Sequence, residues 1–98
     1  MTEVVVTPRA ERDVEEAIAL LNLPADSWTR IARSLRVLET FPSGGRALQD
    51  RWAGTRMILG PWPWMLLIYR YDEVADEVRV VAMHDARSAA SALASQNS

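Results

Sequence analysis

Cysteine and lysine are missing from this 98-residue chain, and histidine occurs once. Without cysteine there is no disulfide framework and no thiolate metal site. With His84 as its single imidazole, the chain cannot build a multi-histidine metal centre by itself, so neither a metal nor a cofactor is expected. Without lysine there is no amine to serve as a catalytic base or a phosphate ligand. Long hydrophobic runs are also missing. The longest, Met65 to Ile68 with Tyr69, is far too short to span a bilayer, so no membrane association is expected. The opening Met1-Thr2-Glu3-Val4 has no basic segment leading into an apolar stretch, unlike a secretory signal, and the expected compartment is the cytoplasm.

What is present is ordinary for a folded domain. The chain is 49% hydrophobic and 24% charged, which excludes the low hydrophobicity and high net charge of a disordered segment. At this length roughly 60–65% of the unfolded surface is buried on folding, enough for one core and not for two. Residues 1–98 are therefore expected to form a single domain, with residues 88–98 as a mobile tail or a short terminal helix. Thirteen acids against eleven bases leave a net charge of −2, which does not suit a general-purpose nucleic-acid binder. All the bases are arginine, whose planar fork matches carboxylates and phosphates.

The pattern of residues predicts the elements. Glu3-Val4-Val5-Val6-Thr7 is rich in β-branched residues and reads as a strand. Thr7-Pro8 opens a helix, with a hydroxyl at the N-cap and proline at the first helical position. Ala10, Val14, Ala17, Ile18 and Leu21 mark its apolar face, and Asn22-Leu23-Pro24 ends it. A second helix carries Trp28, Ile31, Ala32, Leu35 and Leu38 on one stripe, with Arg30, Arg33 and Arg36 elsewhere on its surface. Phe41-Pro42-Ser43-Gly44-Gly45 stops it. Then the period changes. Strands are predicted at Arg56 to Leu59, Trp64 to Tyr71 and Glu77 to Met83, joined by the Gly60-Pro61-Trp62-Pro63 turn and a charged connection from Asp72 to Glu77. In the last strand, simple alternation places Val78, Val80 and Ala82 on one face and Arg79, Val81 and Met83 on the other. The sum is an α+β fold: a two-helix hairpin on a mainly antiparallel four-stranded sheet, ordered strand-helix-helix-strand-strand-strand.

Candidate chemistry is sparse. His84 stands where the last strand ends, and is the one side chain whose ordinary pKa lies near neutrality. Arg46, Arg56, Arg70 and Arg87 are distributed around the sheet, where they could converge on an anion or each pair with a carboxylate such as Asp50, Asp72 or Asp85. Trp62 and Trp64 bracket the proline turn, and either mark a protein interface or pack the hairpin end onto the core.

Several motifs, in order, resemble those of the bacterial RelE/ParE toxin superfamily. Thr7-Pro8-Arg9-Ala10-Glu11-Arg12-Asp13 is similar to the family's helix opening, and Pro42-Ser43-Gly44-Gly45-Arg46 to its loop after the second helix. Gly54-Thr55-Arg56 with Leu59-Gly60-Pro61 is similar to its next strand, Ile68-Tyr69-Arg70-Tyr71 to its central strand, and His84-Asp85-Ala86-Arg87 to the ending common in ParE-like and plasmid-stabilisation members.

That resemblance implies a toxin of a type II toxin–antitoxin system, bound and neutralised by a cognate antitoxin in an oligomeric complex. The expected reading is ParE-like: a binding protein without enzymatic activity that inhibits DNA gyrase. On it, Arg46, Arg56, Arg70, Arg87, Trp62 and Trp64 face the target or the antitoxin. The alternative is a RelE-like ribosome-dependent endoribonuclease acting on messenger RNA, with His84 as general acid/base and Arg87 or Arg70 on the phosphate. A degenerate, non-toxic member is a third reading. Leu66 stands where RelE-like toxins carry a sheet arginine, and with the acidic balance it weighs against the nuclease.

Overall fold

The structure is a computed structural model and describes residues 1–87. The elements run β1 (Glu3–Val6), α1 (Pro8–Leu21), α2 (Ser27–Leu35), α3 (Val37–Thr40), β2 (Arg46–Ala47), a 3₁₀ turn at Asp50–Trp52, β3 (Arg56–Leu59), β4 (Met65–Asp72) and β5 (Glu77–Asp85). The tail beyond Arg87, expected as a mobile segment or short helix, lies outside the described residues.

The α1 boundaries follow from local chemistry. The Thr7 side chain accepts a hydrogen bond from the Ala10 backbone N–H at 3.3 Å, satisfying one of the helix's free donors, and proline takes the first position. Asn22 closes the helix in the left-handed region (φ 52°), a conformation its short polar side chain tolerates. Ala10, Val14 and Ala17 form the buried stripe. The expected single second helix is two pieces. At Arg36 the backbone tightens, its N–H reaching back only three residues to the Arg33 carbonyl, before α3 continues. Ile31 and Leu35 from α2 and Leu38 from α3 are buried as expected, but Ala32 is exposed. Trp28 is half-buried, because its indole N–H donates to Glu15 on α1 at 2.7 Å and ties the two helices at their rim.

The sheet has five strands, in the order β1-β5-β4-β3-β2. The fifth, beyond the expected four, is the two-residue β2, too short for any periodicity to announce it. β1 pairs with β5 in parallel, and the remaining pairings are antiparallel. α1, α2 and α3 supply the helical side of the core, where Ala10, Val14, Ile31, Leu35 and Leu38 meet Met65, Leu67, Tyr69, Val78, Val80 and Met83. Leu66 and Ile68, which point the other way, are buried too, so β4 reads as a continuous apolar run because both its faces are covered.

One irregularity decides where His84 points. Ile68 pairs with Ala82 but Tyr69 with Val80, so Val81 is an extra residue, a β-bulge. The bulge shifts the alternation by one. Met83 joins Val78 and Val80 on the helix side, and Ala82 turns to the opposite face, reversing the expected placement of both. His84, paired with Leu66, consequently lies on the outer face, away from the helices. The Met83 N–H beside the bulge is taken up by the Asp13 carboxylate of α1 at 3.1 Å.

Candidate functional site

The motif residues separate into two groups on opposite faces of the sheet. On the helix side, Gly45, Arg56 and Tyr69 form a closed knot. Gly45 N–H donates to the Tyr69 phenol oxygen at 2.9 Å, and the Arg56 guanidinium donates to the Gly45 carbonyl at 2.9 Å. A Cβ on Gly45 would lie 2.7 Å from that phenol oxygen and 2.8 Å from the Met57 carbonyl, so the close approach of loop to strand requires glycine. Burial pushes the Tyr69 hydroxyl above its ordinary pKa, against the opposing pull of the Gly45 N–H and the Arg56 charge. Arg56, a candidate for binding, is thus engaged in holding the loop after α3 onto the central strands.

The outer face carries His84, Arg70 and Arg79. The His84 ring sits edge-on to Trp52, with centroids 5.0 Å apart and planes at 88°. Burial lowers its pKa; Asp13 acts in the opposite sense, and the charges of Arg9 and Arg51 reinforce the lowering. The imidazole is therefore biased toward its neutral form. Arg87, its expected partner, is engaged elsewhere. It forms a two-pronged ion pair with Asp85 (3.0 and 2.8 Å), and its guanidinium lies over the Trp64 ring at 4.8 Å.

Trp62 and Trp64 stack on each other, with centroids 5.9 Å apart and planes inclined at 20°. Arg30 of α2 approaches Trp62 at 5.9 Å, and Arg30 itself pairs with Asp26. The indoles and their arginines thus link α2, the hairpin and the end of β5. Both indoles are partly buried, so the surface they offer a partner is a rim rather than two open rings. Arg46 is exposed on β2, at the far edge of the sheet. Arg70 is exposed on β4 and makes no hydrogen bond or ion pair among the described residues.

Two residues were not singled out as candidate site residues in the sequence. Trp52 reads as a loop aromatic, and only the fold shows that it packs against His84. Arg79 was accessible by counting: once Asp72 faces Glu77 across the hairpin, Arg70 must face Arg79. The hairpin tip is held by its own acids. Asp72 accepts the Val74 and Ala75 N–H groups, and Asp76 accepts the Thr2 and Tyr71 hydroxyls, which hold its carboxyl below the ordinary range.

Helices packed on one face of a mixed sheet make a fold that this chain shares with solved proteins of bacterial toxin–antitoxin systems. The chain is similar to a solved toxin–antitoxin complex, RelBE2 of Mycobacterium tuberculosis, at 22% identity and a TM-score of 0.66 over 86% of this chain and 96% of that one. It is similar to YafQ of Escherichia coli at 17% identity and a TM-score of 0.61, over 90% and 97%. Similarity to the chromosomal ParDE toxin–antitoxin system of Pseudomonas aeruginosa is 13% in identity with a TM-score of 0.64, over 87% and 96%. No protein-family model matches the sequence, and no curated protein matches it.

Proposed function

We propose that this protein is the toxin of a type II toxin–antitoxin pair and that it acts in the cytoplasm by binding rather than by cutting. Its target on this reading is DNA gyrase, and a cognate antitoxin neutralises it by covering the same surface. The observation that carries the binding mode is the engagement of Arg87, one of the two candidate catalytic groups, by neighbours other than His84. Arg87 is engaged by Asp85 and Trp64, while the charged groups acting on His84 are Asp13, Arg9 and Arg51. With Arg87 committed to Asp85 and Trp64, His84 as a general acid/base lacks one of the two arginines expected to hold the phosphate for in-line cleavage of RNA. Support for gyrase as the target comes from the ParE-like ending His84-Asp85-Ala86-Arg87 and from the likeness to ParDE.

A second reading rests on His84 itself. A partly buried histidine whose pKa is lowered is neutral at pH 7 and able to accept a proton, and Arg51 and Arg9 supply positive charge beside it. The resemblance of the chain's motifs to the superfamily that includes RelE-like toxins keeps a ribosome-dependent nuclease as this alternative.

Purified protein added to a gyrase supercoiling assay separates the two. The binding reading expects dose-dependent inhibition that His84→Ala leaves intact. Supercoiling undisturbed by a folded, equimolar excess of the protein would remove gyrase as the target.

A further inference from the structure

Arg70 and Arg79 face each other directly across β4 and β5. Like charges in register on neighbouring strands repel, and a sheet ordinarily places an opposite charge there. The flanking strands add no opposite charge, and within β5 the Glu77 ion pair with Arg79 offsets only part of it. On β1 the residue in register with Arg79 is Val5, and beside Arg70, just before β3 begins, stands Gly54, in a left-handed conformation (φ 87°) with no side chain. Arg79 gives its Nε–H to Glu77 at 2.6 Å, which leaves both its terminal nitrogens without a hydrogen-bond partner among the described residues. Arg70 has none at all among them. The two guanidiniums line one open cleft of about 550 Å³, together with Gly54, Tyr71, Asp72 and Glu73.

From this geometry we infer that Arg70 and Arg79 form a clamp for a single carboxylate, the side chain of an aspartate or glutamate presented by a protein partner. Each guanidinium offers planar, paired donors that match a carboxylate, and one negative charge between them offsets the repulsion that the Glu77 ion pair does not. Phosphate is the other oxyanion to consider. The cleft's own Asp72 and Glu73 oppose it, because a nucleic-acid backbone brings a row of charges past those two carboxylates, whereas one acidic side chain brings a single charge between the arginines. The clamp deepens, and rests on, the proposal that this protein acts by binding protein partners.

The test uses the full-length protein and needs no toxicity. Its arginine Nε–H signals are followed by NMR while the blocked amino acid N-acetyl-glutamate N-methylamide is added, and separately while a short single-stranded RNA is added. The carboxylate is expected to shift Arg70 and Arg79 together and saturably in the millimolar range, and to leave Arg33 on α2 unmoved. Arg70→Gln and Arg79→Gln are each expected to weaken this binding about tenfold, and Arg70→Lys nearly as much, since an ammonium keeps the charge and loses the fork. Absence of any shift with the carboxylate in the wild-type protein would overturn the clamp. So would RNA moving the same two signals at far lower concentration than the carboxylate, which would assign the cleft to a phosphate backbone. A harmless protein in cells that still bound the carboxylate would defeat the toxin reading and leave the clamp standing.

Discussion

Tyr69 and Arg70 are neighbours in one motif, and the sheet sends them to opposite fates. Tyr69 is fully buried on the helix side, where its phenol anchors Gly45 and, through the Gly45 carbonyl, Arg56. Arg70 is exposed on the outer face with no partner among the described residues. The same division separates Arg56 from Arg79. A motif match therefore mixes two kinds of residue: those that build the fold and those left free to meet something else. On this division, substitutions on the helix side change stability and those on the outer face change binding.

The largest effect is expected at Tyr69. Replacing it with alanine empties the centre of the core and removes the acceptor for Gly45, and the loss should be about 3–5 kcal/mol by chemical denaturation. Gly45→Ala comes next, at about 1–3 kcal/mol, because the new Cβ meets both the Tyr69 oxygen and the Met57 backbone, and backbone yields little. A Gly45→Ala protein as stable as wild type would break the distinction between the faces. Tyr69→Phe keeps the ring and leaves the buried Gly45 N–H without its acceptor, for about 1–2 kcal/mol. Arg70→Ala, by contrast, should leave the denaturation midpoint within about 0.5 kcal/mol of wild type.

The smallest effect is a pH dependence. His84 has a folded-state pKa below its ordinary 6.5, so between the two values the unfolded chain binds more protons than the folded one. Stability is then highest above pH 6.5 and falls as the pH drops through that value toward the folded-state pKa. His84→Gln should remove this contribution, which shows as a shallower loss of stability between neutral and mildly acidic pH. An unchanged slope would mean that Trp52 does not shield the imidazole as the ring contact indicates.

Much of this was legible in the residues. Thr7-Pro8 marked the start of α1 because capping is local chemistry. The unbroken apolar run of β4 marked a strand covered on both sides. What escaped depended on partners distant in sequence. Arg56 is ranked among the binding residues by its motif, yet its role is set by Gly45, eleven residues away, and by Tyr69 beyond it. The bulge at Val81 leaves no signature in Glu77 to Met83, because valine suits a regular strand equally well, so strict alternation misplaces Ala82 and Met83 and hides the direction of His84. The parallel pairing of β1 with β5 joins segments more than seventy residues apart, which no local pattern specifies. Arg79 is the opposite case, since hairpin counting alone sets it against Arg70.

The most direct test of the binding account is induction of wild-type and His84→Ala protein in bacteria lacking the antitoxin, with growth, the DNA-damage response and transcript integrity scored together. The account predicts that both proteins arrest growth and raise the damage response while transcripts stay intact. Arrest by the wild type with cut messenger RNA, abolished by His84→Ala, would contradict it and make His84 the centre of a nuclease.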